Sequence, residues 1–186
     1  MLNGAIHRVI EQQAAMQPDA IALLDATQAV TYRELNGRAN TLARRLGESG
    51  LTRGAVALVR MERSVNLATV LLAVLKAGAA YAWIEPGTPF DEDLPGGFCV
   101  LKGRSSSEQR YLAVDIRNAV ASCVTRPSAN LPILTRGTDT ACILRNEQGE
   151  ASVFVPHETI TSMPAPPRSG RWTSEPGAFD LWIGLM

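Results

Sequence analysis

Few residues in this chain of 186 are of a type that does chemistry. They are two histidines (His7, His157), three cysteines (Cys99, Cys123, Cys142), a lysine beside a glycine turn (Lys76), and the polar stretch Leu144-Arg145-Asn146-Glu147-Gln148-Gly149-Glu150-Ala151-Ser152. Neither histidine has a partner at ligand spacing and no Cys-x-x-Cys pair occurs, so the sequence offers no metal site and no disulfide framework. Scattered free thiols suit a reducing, cytoplasmic setting. Neither Gly-x-Ser-x-Gly nor Gly-x-Gly-x-x-Gly is present.

The polar stretch lies between two apolar runs, Ala141–Leu144 and Val153–Val155, as a strand-loop-strand would place it. Such a loop cradles phosphate when glycines let backbone N–H groups converge on the anion, helped by a cation and hydroxyls. This loop has one glycine, Gly149, and two carboxylates, Glu147 and Glu150. Gly149 reads as the left-handed position of a hairpin turn. No cofactor is expected.

The elements that must carry these residues follow from periodicity. Ile6, Val9, Ile10 and the residues to Met16 predict a helix that stops ahead of Pro18. Ala20–Leu24 and Gln28–Tyr32 predict two short strands. Thr31 and Glu34 have capping-box spacing, and Leu35, Ala39, Leu42, Ala43 and Leu46 then form a buried helical stripe closed by Gly47 and Gly50. Ala55–Arg60 is a near-continuous apolar strand, Ser64 caps a helix over Val65–Leu75, and Ala79–Ile84 is the next strand. Strand, helix, strand is a βαβ unit. Further on, Phe98–Leu101, Tyr111–Val114, Thr140–Leu144 and Ala151–Val155 predict short strands, and Thr159–Met163 one helical turn.

Composition bounds the class. Hydrophobic residues are 46% and charged residues 19%, typical of a globular domain, and 18 basic residues balance 18 acidic ones. A neutral chain has no electrostatic pull toward nucleic acid or an anionic membrane surface. The most apolar stretch, Leu67–Ile84, is broken by Lys76 and Gly78 and falls short of the roughly 20 residues of a membrane span. No signal peptide is visible at Met1–Arg8.

Several motifs together resemble the adenylation domains of nonribosomal peptide synthetases. They are Pro18-Asp19-Ala20, Val30-Thr31-Tyr32-Arg33-Glu34-Leu35, Glu62-Arg63-Ser64, and Leu75-Lys76-Ala77-Gly78-Ala79-Ala80-Tyr81. Trp83 stands where that family has a proline, and Glu85 where it has an aspartate. The resemblance implies an α/β fold with a mainly parallel sheet and flanking helices, like the N-terminal portion of the adenylate-forming fold. It implies one domain over 1–186: well matched over 1–86, divergent over 87–140, and over 141–186 a degenerate phosphate-loop region and end. These early motifs are structural in the family. Lys76 reads as a helix-end lysine, favourable to the helix dipole.

The family's third motif, Ala-Tyr-x-x-Tyr-Thr-Ser-Gly-[Ser/Thr]-Thr-Gly-x-Pro-Lys-Gly-Val, aligns with Ala141-Cys142-Ile143-Leu144 and Val153-Phe154-Val155-Pro156-His157. The intervening loop, 144–152, is shorter and lacks the Thr-Gly pair and the lysine. Phe179-Asp180 resembles the family's Phe-Asp, whose aspartate holds the substrate's α-amino group; read alone, Asp180 is a solvated or capping carboxylate. His157 matches a family histidine and reads alone as a helix-start residue.

The resulting expectation is a truncated adenylation domain, a pseudoenzyme with no catalytic residues and no adenylation activity. It would serve as a remnant, spacer or docking module beside condensation or carrier domains in secondary-metabolite biosynthesis, or would self-associate through Leu181, Trp182, Ile183, Leu185 and Met186. The alternative is one part of a split amino-acid-adenylating enzyme completed by another chain. A nucleotide-binding regulatory module is a third reading, with no motif behind it.

Overall fold

The computed structural model describes residues 4–84, 86–87, 98–102, 112–115, 129–132, 135–145 and 152–162. Helix α1, Ile6–Met16, buries Ile6, His7 and Ile10. Its N-cap, Ala5, has no side chain able to accept a hydrogen bond, so the first helical N–H must find an acceptor elsewhere. Strands β1, Ile21–Leu24, and β2, Ala29–Thr31, form an antiparallel hairpin. Its turn is organised by Asp25, whose Oδ1 accepts from Thr27 N–H, Thr27 Oγ1 and Gln28 N–H.

Helix α2, Tyr32–Glu48, starts on the expected capping box: Thr31 Oγ1 accepts from Glu34 N–H and Glu34 accepts from Thr31 N–H. All five residues of the anticipated stripe are buried, with Asn40 beside them. Strand β3, Val56–Arg60, leads to helix α3, Val65–Lys76, capped by Ser64 through Leu67 N–H. The second Asp25 oxygen accepts from Val65 N–H at 2.9 Å, so the β1–β2 turn also caps α3. Nearly every residue of α3 is buried, because the helix is packed by α1 and α2 as well as by the sheet. Gly78, at φ +80°, turns the chain into strand β4, Ala80–Ile84.

Strands β5, Phe98–Lys102, β6, Leu112–Asp115, β7, Thr140–Arg145, and β8, Ser152–Pro156, complete the sheet; helix α4, His157–Thr161, follows at once. Among the described residues the order is β6-β5-β3-β4-β7-β8. The expected α/β architecture is present, and the sheet is mixed. Parallel pairing holds the centre, β3 with β4 and β4 with β7, while β5, β6 and β8 join antiparallel on either side.

Ala57, Tyr81, Cys142 and Val155 are in register across the sheet, with Val59 two residues beyond Ala57 along β3, and all five belong to the same buried cluster as Ile6, Ile10, Leu35, Leu42 and Leu72 from α1–α3. The segment before β7 returns over α2. Arg44 donates to Ala129 O, and the Asn36 and Asn40 amides donate to Asn130 Oδ1.

Candidate functional site

The position at which the resemblance places a phosphate loop follows the carboxyl end of β7, beside its parallel neighbour β4. In α/β sheets this is the edge where ligands bind. Here β7 and β8 form a hairpin in which Arg145, the last residue of β7, faces Ser152, the first of β8. Leu144 is half-buried and packs against the core. Residues 146–151, including Glu147, Gln148, Gly149 and Glu150, and Asp180 with the apolar segment 178–186, lie outside the described residues.

At the same edge Trp83 does what sequence reasoning did not anticipate. Its indole Nε1 donates to Met61 O at 2.8 Å, and the Arg63 guanidinium sits 5.0 Å from its ring centre. The tryptophan that replaces a family proline therefore ties β4 to the β3–α3 turn and supports a cation on its face.

His157 opens α4, and its position as a helix-start residue matches the sequence reading. Its ring is buried, and Nδ1 accepts from Ile6 N–H at 3.3 Å, the acceptor that α1 lacks locally. The ring meets His7 edge-on, centroids 5.9 Å apart at 84°. Burial lowers His157 to about 4, opposed by Asp139. Burial, then Lys76, His157 and Arg8, lower His7 to about 3. Both rings are neutral at pH 7 and turned into the core, so neither is placed to meet a substrate.

Lys76 is also interior. It ends α3 as expected, but its Nζ pairs with Glu11 of α1 at 2.5 Å. Burial lowers the ammonium's pKa, while Glu11 favours its charged form. The Cys142 thiol is pushed up to about 11 by burial, against a hydrogen bond with Tyr81, and is inert as a nucleophile.

A cavity of about 760 Å³ opens at the other edge of the sheet, where β3 and β4 begin. Arg53, Gly54, Gly78, Thr138, Asp139 and Phe154 contribute to its lining. Arg53 and Asp139 pair there at 3.3 Å, and Asp139 also accepts from Arg136 N–H. That backbone bond and Arg53 hold the Asp139 carboxyl below its ordinary range. No histidine, cysteine or lysine lines the cavity among the described residues. Among those residues, too, no group of three His, Cys, Asp or Glu side chains could hold a metal, and no helix is long and apolar enough to cross a membrane.

Residues 10–92 match the family model described as AMP-binding enzyme. Malpibaldin synthetase of Mortierella alpina is 32% identical over 177 residues, 87% of this chain and 3% of the relative. Bacitracin synthase 1 of Bacillus licheniformis is 44% identical over 89 residues, 48% of this chain and 2% of the relative. The chain thus spans a few per cent of these relatives' length.

Among solved structures, the N-terminal subdomain of Klebsiella oxytoca NpsA in complex with 3-hydroxybenzoyl-AMSN superposes with a TM-score of 0.65 at 25% identity, covering 84% of this chain and 42% of that one. An artificially fused adenylation-PCP di-domain NRPS from the same organism, NpsA-ThdA, gives 0.72 at 23% identity, covering 97% and 37%. Residues 10–92 are thus similar to AMP-binding enzymes, and the chain has the fold of the N-terminal subdomain of the adenylate-forming domains of nonribosomal peptide synthetases.

Proposed function

We propose that this chain is an adenylation-domain segment of a nonribosomal peptide synthetase that does not adenylate amino acids, and that it works as a spacer or docking module for neighbouring condensation or carrier domains. The observation that carries this reading is the loop between β7 and β8. With Arg145 facing Ser152, residues 146–151 alone must join the strands. Those residues supply one glycine, two glutamates, no lysine and no hydroxyl.

A triphosphate needs converging N–H donors and positive charge at its transferring group, positioned in advance. A carboxylate about 5 Å from a phosphate oxygen repels it by ~3 kcal/mol at an effective dielectric of about 20. The remaining candidates agree, since His157, Lys76 and Cys142 are committed to the interior. The docking part of the reading is supported by β8. It is the last strand of the sheet among the described residues, and it exposes Val153 and Phe154 at 59% and 62%.

The test is amino-acid-dependent exchange of labelled pyrophosphate into ATP, run on the chain alone and with the proteins encoded beside it. Background exchange throughout is expected. Exchange by the chain alone refutes the proposal, and exchange that appears only with a second chain replaces it by a split enzyme. Docking is read separately by light scattering with and without neighbouring synthetase domains; a chain that stays monomeric and unbound in every mixture removes that half.

A further inference from the structure

Helix α1 begins without a local cap, and the acceptor that serves its first N–H comes from a residue 151 positions away. Around that bond the two ends of the described chain interlock. Thr161 Oγ1 donates to Gly4 O, Glu158 N–H donates to Gly137 O, and His157 N–H donates to Asp139 O. Gly4 and Gly137 approach so closely that a Cβ on Gly4 would stand 2.9 Å from Gly137 Cα. His7 lies edge-on beside His157, and its own Nδ1 is buried with no hydrogen-bond partner. We propose that His7 and His157 form a proton-sensitive latch, which fastens α1 to α4 and to the β7–β8 hairpin and opens on mild acidification.

The latch works through the acceptor at Nδ1 of His157. That nitrogen receives the Ile6 N–H, so it carries a lone pair and the ring proton sits on Nε2. A proton on Nδ1 would turn the acceptor into a donor facing a donor, and the bond is lost. A proton on His7 would set a second buried cation beside Lys76.

The charged groups around the pair give it little relief. His7 faces Lys76 of α3, Arg8 of its own helix and His157 of α4. Lys76 is taken up by Glu11 of α1 and feels Arg44 of α2. His157 faces Asp139, which is already engaged by Arg136 N–H and Arg53; Glu158 of α4 is exposed, its carboxylate close to Gly137.

The sign follows from linkage. In the closed form the rings sit at about 3 and about 4, and in an opened form they return to about 6.5. Closure is fully favoured above about pH 6.5 and is lost as pH falls below it, levelling only near the closed-form values. With two protons taken up on opening, the ratio of open to closed rises ~10³-fold between pH 7.5 and 5.

Native-state hydrogen exchange of the full chain reads this ratio. After correction for intrinsic rates, amides of α1 and α4, such as Ile10 and Ile160, should show an opening constant ~10³-fold larger at pH 5 than at pH 7.5, while Val70 and Leu71 of α3 change less than about tenfold. An unchanged constant at Ile10, or an equal rise at Val70 and Leu71, overturns the proposal.

Imidazole NMR supplies a second readout that needs no variant, because the chain has only two histidines. Neither ring of the closed form should titrate between pH 8 and 5; a ring that titrates near 6.5 with the fold intact refutes the latch. His157→Asn keeps an acceptor without the titration, so with His7→Leu it should flatten the pH dependence at Ile10 to less than about threefold.

Discussion

Lys76, in the last turn of α3, holds its ammonium 2.5 Å from the Glu11 carboxylate of α1, with side chains only 1% and 9% exposed. Breaking a buried pair strands one charge in the core, whereas replacing both partners removes the desolvation cost with the attraction. Glu11→Ala or Lys76→Ala should lose about 3–5 kcal/mol in urea unfolding, and the double change Glu11→Leu with Lys76→Met should recover most of it. Equal losses in the single and double variants would show that packing, not charge, sets the effect.

Gly4 and Gly37 separate two uses of glycine. Gly4 has φ +54° and a backbone atom where a Cβ would go, while Gly37 lies inside α2 with nothing within 4 Å. Gly4→Ala should destabilise by about 1–3 kcal/mol. Gly37→Ala should stabilise by about 0.5–1 kcal/mol, through helix propensity and a less disordered unfolded chain. Thermal unfolding of the two variants should shift in opposite directions.

Asp25 carries a separate acid dependence. The Thr27 hydroxyl, then the N–H groups of Val65, Thr27 and Gln28, lower its carboxyl to about 2 against the usual 3.8. A depressed carboxylate stabilises fully above pH 3.8, and the contribution fades as pH falls toward 2. Asp25→Asn should therefore destabilise at pH 7 and converge on the parent chain near pH 2, as urea unfolding at the two pH values would show. The group is only partly buried, so added salt should shrink the difference.

What was legible in the sequence was local. Thr31 with Glu34, and Ser64 with Leu67, lie three residues apart, and their caps form as spacing implies. The stripe of α2 and the apolar strands β3 and β4 carry their own periodicity. The antiparallel approach of β5 to β3 carried no such sign, because Val56 meets Lys102 through backbone bonds that constrain side-chain type weakly. His157 read as a helix start, which it is, but its partner Ile6 lies far back along the chain. Lys76 read correctly by position, and its burial was hidden because Glu11 belongs to another helix. Trp83 looked like a bare departure from a family pattern until Met61 and Arg63 appeared around it.

The remote cap of α1 sets an order of events during synthesis. The unit β3–α3–β4 closes over a short stretch, so it can assemble while the chain is still emerging. Of the described elements helix α1 leaves the ribosome first, yet the protein acceptor of Ile6 N–H is absent until His157 has been made, and only water serves it before then. Short isolated helices are marginal in water, so α1 should fray on the nascent chain and settle only when α4 arrives. Although made before the other described helices, α1 is then among the last of them to become fixed, and a ribosome stalled before residue 157 would display a frayed α1 open to proteases.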